Sequence, residues 1–336
     1  MATQRTPVRL SDVATAAGVA PMTVSRVMNS PGQVSPGTAA RVRAAIERLG
    51  YVPNLLAGGL SSRRSRIVAA IVPTIASPMF ASSVQAFTDA LDAAGYHVVL
   101  GLSGYGARED ALVAAILGRR PDGLLLTGTA RSAITRSRLA VAGVPTVEIW
   151  DLADQPMDMV VGFDHGSVGA TVAAFFLAQG YRRFAAISAT DPRAAARRDG
   201  FVAGLPAGSL AFERTMPPPA SIQGGRDALA AMAFGPEPTA LFCSSDLPAA
   251  GVVIEAALRG VAVPGRLAVC GFGDFELARA LHPAITTVSV DGAEIGRAAA
   301  AALLARLGGR AAPRTTRVPF RIIERASTYP GHLGNP

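Results

Sequence analysis

Apolar residues fall in two rhythms along the chain. Up to Gly50 they recur three and four positions apart in short groups, which predicts small amphipathic helices. The first is expected over Leu10–Ala17, with Val13 and Ala14 turned inward and Asp12 complementing the positive end of the helix dipole. Gly18 stands where a helix stops in the left-handed conformation, and Val19 packs inward after it. Pro21 opens a second helix, Pro21–Met28, at a position where a missing N–H costs nothing. Val24, Val27 and Met28 share one face of it; Met22, Thr23, Ser25, Arg26 and Asn29 share the other. A third helix begins with Ser35 as N-cap and Pro36 next, runs through Val42, Ile46 and Leu49, and ends at Gly50. Two short helices joined by a tight glycine-containing turn are the signature of a helix-turn-helix, and the third helix closes its small core.

From Ile67 onward the rhythm changes. Short apolar runs alternate with helical patterns: strands at Ile67–Val72, Val98–Leu102, Gly123–Leu126 and Thr146–Ile149, with helices at Phe80–Ala94, Arg108–Leu117 and Ile134–Ala142 between them. A second series follows, with strands at Met159–Val161, Phe184–Ile187, Ala240–Cys243 and Leu267–Cys270 and helices near Ser167–Gln179 and Arg197–Ala203. Such alternation implies parallel sheets covered by helices, and two series imply two doubly wound α/β lobes. Ligands in open α/β sheets sit beyond the carboxyl ends of the strands. That selects the loops around Thr74, Ser103–Tyr105, Thr127–Thr129, Trp150 and Asp151, Asp164, Thr190–Arg197, Ser244–Asp246 and Phe272–Asp274.

Charge sharpens the division. The chain has 336 residues and a formal net charge of +8, and its 32 basic residues are all arginine. Residues 1–66 hold nine arginines against two acids, so the 270 residues that follow are nearly neutral. A small basic unit ahead of a neutral body is the footprint of a polyanion-binding module. The absence of lysine excludes P-loop, Schiff-base and kinase-type lysine chemistry. No run approaches the ~18 apolar residues of a membrane span, and Met1–Leu10 is polar and basic with no signal-peptide core. The two cysteines, Cys243 and Cys270, lie in apolar strands as small core residues, and a reducing cytoplasm is the expected compartment.

Other chemistry is sparse. His97, His165, His282 and His332 are widely spaced, with no metal-ligand pattern, and each is expected on the surface or in a loop. Gly271-Phe272-Gly273 and Gly101–Gly106 lack the third glycine of a dinucleotide fingerprint and read as turns. No cofactor or metal is expected.

The strings Asp12-Val13-Ala14, Gly18-Val19, Thr23-Val24-Ser25-Arg26-Val27-Met28-Asn29, Val34-Ser35 and Leu49-Gly50-Tyr51-Val52-Pro53-Asn54 resemble the DNA-binding headpiece of the LacI/GalR family of transcription regulators. The resemblance extends from about Val8 to Tyr329, because the family carries a periplasmic-binding-protein-like core of two lobes after its headpiece. It implies a headpiece over 1–53, a hinge helix or linker over 54–66, an effector-binding and dimerisation core over 67–330 and a disordered tail over 331–336. The chain would cross between lobes near Val161, Asp291 and Val318. One lobe would comprise 67–161 and 291–317, and the other 162–290 and 318–330. The second helix would enter the major groove of a pseudo-palindromic operator bound by a homodimer. Pro21 and Met22 would meet base edges, with Met22 reading thymine methyls. Arg26 would take a guanine or a phosphate, while Thr23, Ser25, Asn29 and Asn54 would position phosphates. Leu60, with Ala57 beside it, would wedge into the minor groove.

Two departures bear on this. Ala20 stands where the family has a serine N-cap, and Gly58-Gly59 precede Leu60, each costing a helix ~1 kcal/mol. The hinge is therefore expected to fold only on DNA. In the core, the resemblance places Thr74, Phe80, Trp150, Asp151, Arg197, Ser245, Asp246 and Asp274 around the effector. Ser245-Asp246 replaces the commoner Asn-Asp, and Gly273 replaces an acid that bonds sugar hydroxyls. The strings Met22–Arg26, Ile71-Val72-Pro73 and Val161-Gly162-Phe163-Asp164 look most like the gluconate-type repressors of the family, which favours a sugar acid, held by Arg197, over a neutral sugar or purine. The tail has no leucine heptads, so a coiled-coil tetramer is not expected. The expected function is a sequence-specific repressor controlled by a sugar or sugar-acid effector. The alternative is a sugar-binding protein or sugar-processing enzyme on the same core with a vestigial headpiece.

Overall fold

A computed structural model describes residues 8–52, 65–105 and 108–328. The chain divides into two compact units, Met1–Ser65 and Arg66–Pro336.

The first unit packs three helices, α1 (Leu10–Ala17), α2 (Pro21–Asn29) and α3 (Pro36–Leu49), around Val13, Val24, Val27 and Val42. Burying a valine fully contributes roughly 1.5–3 kcal/mol, and Ala14, Ala17, Ala39 and Ala45 complete the same core. Its ends are set locally. The Arg9 amide donates to Asp12 Oδ2 at 2.8 Å, and Gly18 and Gly50 close α1 and α3 at φ 64° and 62°. Ser35 precedes α3 as expected, but its hydroxyl donates to Thr38 Oγ1 at 3.0 Å and accepts no bond from the helix backbone.

In the second unit the strands are β1 (Ile67–Val72), β2 (His97–Leu102), β3 (Gly123–Thr127), β4 (Thr146–Ile149), β5 (Met159–Gly162), β6 (Arg183–Ala189), β7 (Leu210–Met216), β8 (Thr239–Cys243), β9 (Leu267–Phe272), β10 (Thr286–Val290), β11 (Thr315–Arg317) and β12 (Phe320–Ile323). They form two six-stranded sheets, in the orders β11-β5-β4-β3-β1-β2 and β12-β10-β9-β8-β6-β7. Every pairing is parallel except β12 on β10. The helices are α4 (Pro78–Ala93), α5 (Arg108–Leu117), α6 (Ala133–Ala142), α7 (His165–Ala178), α8 (Pro192–Ala203), α9 (Ile222–Ala230), α10 (Asp246–Leu258), α11 (Glu276–Ala280) and α12 (Gly292–Leu307).

The chain changes sheets three times: after Gly162, after Val290 into α12 (which packs on α4), and between β11 and β12. Each sheet with its helices is a lobe. Several helices begin earlier than the apolar pattern predicts, and two of these starts bear on the cleft. α7 starts at His165, where Asp164 Oδ1 accepts from the Ser167 amide at 2.7 Å. α8 starts at Pro192, where Asp191 Oδ1 accepts from the Ala194 amide at 3.2 Å. Both starts follow from an acidic cap, and in α8 from a proline in the first turn. α7 and α8 lie so close that a Cβ on Gly169 would strike the Arg197 carbonyl and one on Gly200 would strike that of Gly166. This contact fixes where α8 presents Arg193 and Arg197.

Candidate functional site

α2 divides as its pattern predicts. Val24 and Val27 are buried, while Pro21, Met22 and Arg26 are exposed, Met22 at 63%. Thr23 and Ser25 lie half-buried beside them. An exposed methionine on a helix with a cationic neighbour suits a surface that docks onto something both apolar and anionic, as a major groove is. Asn54, Ala57 and Leu60 lie outside the described residues, and so does the Asn29 side chain.

Between the two lobes lie adjoining cavities. The first, of about 150 Å³, takes Thr74, Phe80 and Tyr105 from one lobe and Arg193, Arg197 and Ser245 from the other. The second, of about 300 Å³, shares Tyr105, Asp191 and Arg193 with the first and adds Glu109, Thr129 and Asp151. Thr74, Phe80, Asp151, Arg197 and Ser245 thus come together as the sequence suggests. Trp150 and Asp274 face a third cavity, of about 670 Å³, which meets the first at Met79. Asp246 lines none of these three. It is fully buried, with Oδ1 accepting from the Thr287 hydroxyl at 2.6 Å and Oδ2 from the Phe275 amide at 2.8 Å. Burial pushes its carboxyl up to about 6, against those two bonds.

The arginines differ in availability. Arg197 is 4% exposed and held on three sides. Its Nε and Nη2 donate to the Ser244 carbonyl at 3.2 and 2.8 Å, its Nη1 lies 2.8 Å from His165 Nδ1, and the guanidinium stands 4.0 Å over the Phe272 ring. Burial pulls its pKa down to about 9, which still leaves it charged at neutral pH. Arg193 stands 5.3 Å over the Phe80 ring, in both cavities, and makes no hydrogen bond or ion pair with the described residues. Sequence reasoning placed it only within the loop Thr190–Arg197 and gave it no role; Asp191-Pro192 immediately before it is the helix-start signal that could have put it on a helix.

His165 corrects an expectation. It is neither on the surface nor in a loop, but opens α7 at 3% exposure, with Nε2 2.9 Å from the Trp150 carbonyl and its ring 4.6 Å from that of Phe163. The reason is its helix start: as the residue after the Asp164 cap, it is turned into the seam between the lobes. Gly271-Phe272 also differs from the turn expected, ending strand β9 inside the core. Trp150 has φ 64°, an arrangement that costs a bulky residue of order 1–2 kcal/mol. Its amide bond to the Val161 carbonyl at 3.1 Å and its indole N–H bond to Ser83 Oγ at 2.9 Å hold it there. At the third cavity, burial raises Asp274 but the bonds from Arg279 and Arg325 prevail and keep it below its ordinary value. Under the second cavity, buried Arg131 holds Glu109 at 3.0 Å.

A three-helix unit with an exposed cationic recognition face, followed by a two-lobed α/β core with a polar interlobe cleft, defines a helix-turn-helix regulator with a ligand-binding core. Comparison with known proteins agrees. Residues 9–54 match the bacterial regulatory proteins of the lacI family, and residues 173–328 match the periplasmic binding protein-like domain. The transcriptional regulator GntR of Pseudomonas aeruginosa is 34% identical over 307 residues, covering 90% of each chain. The crystal structure of a LacI-family regulator from Silicibacter pomeroyi superposes with a TM-score of 0.89 at 32% identity, covering 96% of this chain and 99% of the other. The lac repressor dimer bound to operator and an anti-inducer superposes with a TM-score of 0.83 at 25% identity, covering 96% and 99%. The chain belongs to the LacI family of bacterial regulatory proteins, and it is a DNA-binding transcriptional regulator.

Proposed function

We propose that the protein is an operator-binding repressor whose effector is a sugar acid, held in the interlobe cleft and sensed without being turned over. The observation that carries this reading is Arg193. Its guanidinium stands in the cleft, unmatched by any carboxylate among the described residues, while Asp151, Glu109, Thr129 and Thr74 line the space around it. A cation together with oxygen acceptors and hydroxyls lining one space matches a molecule that carries one carboxylate and several hydroxyls. Arg193, more available than the pinned Arg197, takes the carboxylate. Among the site residues named from sequence, Thr74, Phe80, Asp151, Arg197 and Ser245 form the effector wall, Trp150 and Asp274 flank it, and Asp246 supports it from behind. Pro21, Met22, Thr23, Ser25, Arg26 and Asn29, with Asn54, Ala57 and Leu60, meet DNA.

Residues 1–53 act as headpiece, 54–66 as hinge and 67–330 as the sensing core of a homodimer working beside the chromosome in the cytoplasm. Binding without turnover fits the side chains present. His165 is engaged on both ring nitrogens, and burial pushes the Cys243 and Cys270 thiols far above their ordinary value. Effector and operator then alter each other's affinity by one common factor.

Calorimetry with D-gluconate and D-glucose on the full chain tests the effector. Gluconate is expected to bind more tightly, and Arg193→Met to weaken it roughly tenfold or more while leaving glucose unaffected, as loss of a charge-assisted pair requires. Equal affinity for the two sugars, or none for either, rejects a sugar acid. A gel shift with DNA from upstream of its own gene, with and without gluconate, tests the coupling. The same shift at every gluconate concentration rejects it.

A further inference from the structure

We infer that His165, as a neutral imidazole with its proton on Nε2, is a positioning residue that orients Arg197 in the cleft wall and ties it to Trp150 in the other lobe. The assignment follows from its two partners. The Trp150 carbonyl can only accept, so Nε2, 2.9 Å away, carries the hydrogen. The Arg197 guanidinium can only donate, so Nδ1, 2.8 Å away, offers its lone pair. No other protonation state satisfies both contacts, and the ring is too buried for water to substitute.

The connection crosses the seam between lobes. Arg197 lines the first cavity from α8, and its remaining donors are fixed on Ser244 at the end of β8. His165 opens α7 in the same lobe. Trp150 follows β4 in the other lobe, where its indole N–H donates to Ser83 of α4, and the Ser83 hydroxyl donates to the Phe80 carbonyl. Phe80 itself lines the first cavity. The path therefore starts at the cavity, passes through one imidazole and returns to the opposite wall. On the way it passes through Trp150, whose backbone is left-handed at φ 64°.

Burial keeps the ring neutral. It holds the imidazole pKa well below the ordinary value, with help from Arg197 and then Arg193, which face it from α8, and against the bond to the Trp150 carbonyl. From β4 it meets the Trp150 carbonyl, and Asp151 beyond it is engaged with the Thr129 hydroxyl and the Leu152 amide. From β9 it meets only the Phe272 ring. On its own helix the Asp164 carboxylate is taken by the Ser167 amide. Protonation would set an N–H against the Arg197 donors, so acid breaks the connection at that contact first.

The relay itself is tested without ligand, by long-range ¹H–¹⁵N spectra of the histidines of the full chain. The signal lost in His165→Gln is expected to show a proton on Nε2 and to stay neutral at pH values where an ordinary imidazole is half charged. A proton on Nδ1, or titration at the ordinary value, overturns the inference. Trp150 is the chain's one tryptophan, so its emission reports the far end. His165→Gln can accept from Arg197 and donate to Trp150, and is expected to keep the wild-type emission and remove its change on acidification. His165→Leu can do neither and is expected to shift the emission. Wild-type emission in His165→Leu overturns the inference.

A ligand arm rests on the sugar-acid reading. Gluconate is expected to change Trp150 emission in the wild type and in His165→Gln. In His165→Leu it is expected to bind roughly tenfold more weakly, with no emission change. If calorimetry detects no gluconate binding to the wild type, the sugar-acid reading falls, and the spectra alone decide the role of His165.

Discussion

Asp246 opens α10 three residues beyond β8, the kind of position from which α/β sheets present groups to ligands, yet its carboxylate turns inward to Thr287 and Phe275. Sequence places a residue beyond a strand end; which way its side chain faces depends on what lies behind it. Here Gly271 leaves the space, since a Cβ there would strike Asp246 Oδ1. The buried carboxyl has its pKa raised to about 6 from an ordinary 3.8. Below the ordinary value it is protonated in folded and unfolded chains alike. As pH rises towards 6, the folded state holds its proton while the unfolded state releases it, so the stability Asp246 contributes falls over that window and is flat above it. Asp246→Asn keeps an acceptor for the Phe275 amide, and its amide N–H can donate to Thr287 Oγ1 in place of accepting from that hydroxyl. Scanning calorimetry should find its melting temperature above wild type at pH 7.5 and level with it near pH 4. A difference independent of pH would contradict this account.

α2 is the helix proposed to read DNA, and its start lacks a side-chain cap. Ala20 precedes it with no side-chain hydrogen bond, and only backbone bonds from Thr23 and Val24 reach the Ala20 carbonyl. A serine there supplies an acceptor for the Met22 or Thr23 amide, worth about 1 kcal/mol. Ala20→Ser should slow hydrogen exchange at those two amides roughly fivefold, with exchange in the sensing core unchanged. No slowing would mean that the first turn is already held by other means. The boundaries of α1, α2 and α3 were legible because glycine and proline mark them by backbone geometry alone. β7 and α12 were not. β7 is an edge strand with little buried surface, and α12 is rich in alanine, so neither shows a clean two-sided pattern.

At the scale of the whole molecule, the edge strand β2 is exposed and apolar. β2 is the last strand of its sheet and leaves Val99, Leu100 and Leu102 at 51%, 41% and 49% exposure. An edge with this much apolar surface needs covering, and a second copy of the chain, as the homodimer reading requires, would supply it. Leu102→Asp should convert the dimer to monomer by sedimentation at micromolar concentration while leaving gluconate affinity within about twofold. An unchanged dimer would place the interface elsewhere.

Period, punctuation and charge are local properties, and they were enough to determine a basic helix-turn-helix unit ahead of a two-lobed α/β core, with a ligand expected beyond the strand ends. The tertiary structure decided which side chains meet. It set Arg193 in the cleft, Asp246 behind it and His165 between Arg197 and Trp150. Those contacts join residues 15 to 47 positions apart in the chain across packed helices and sheet ends, where orientation is fixed by close packing and leaves no trace in local spacing.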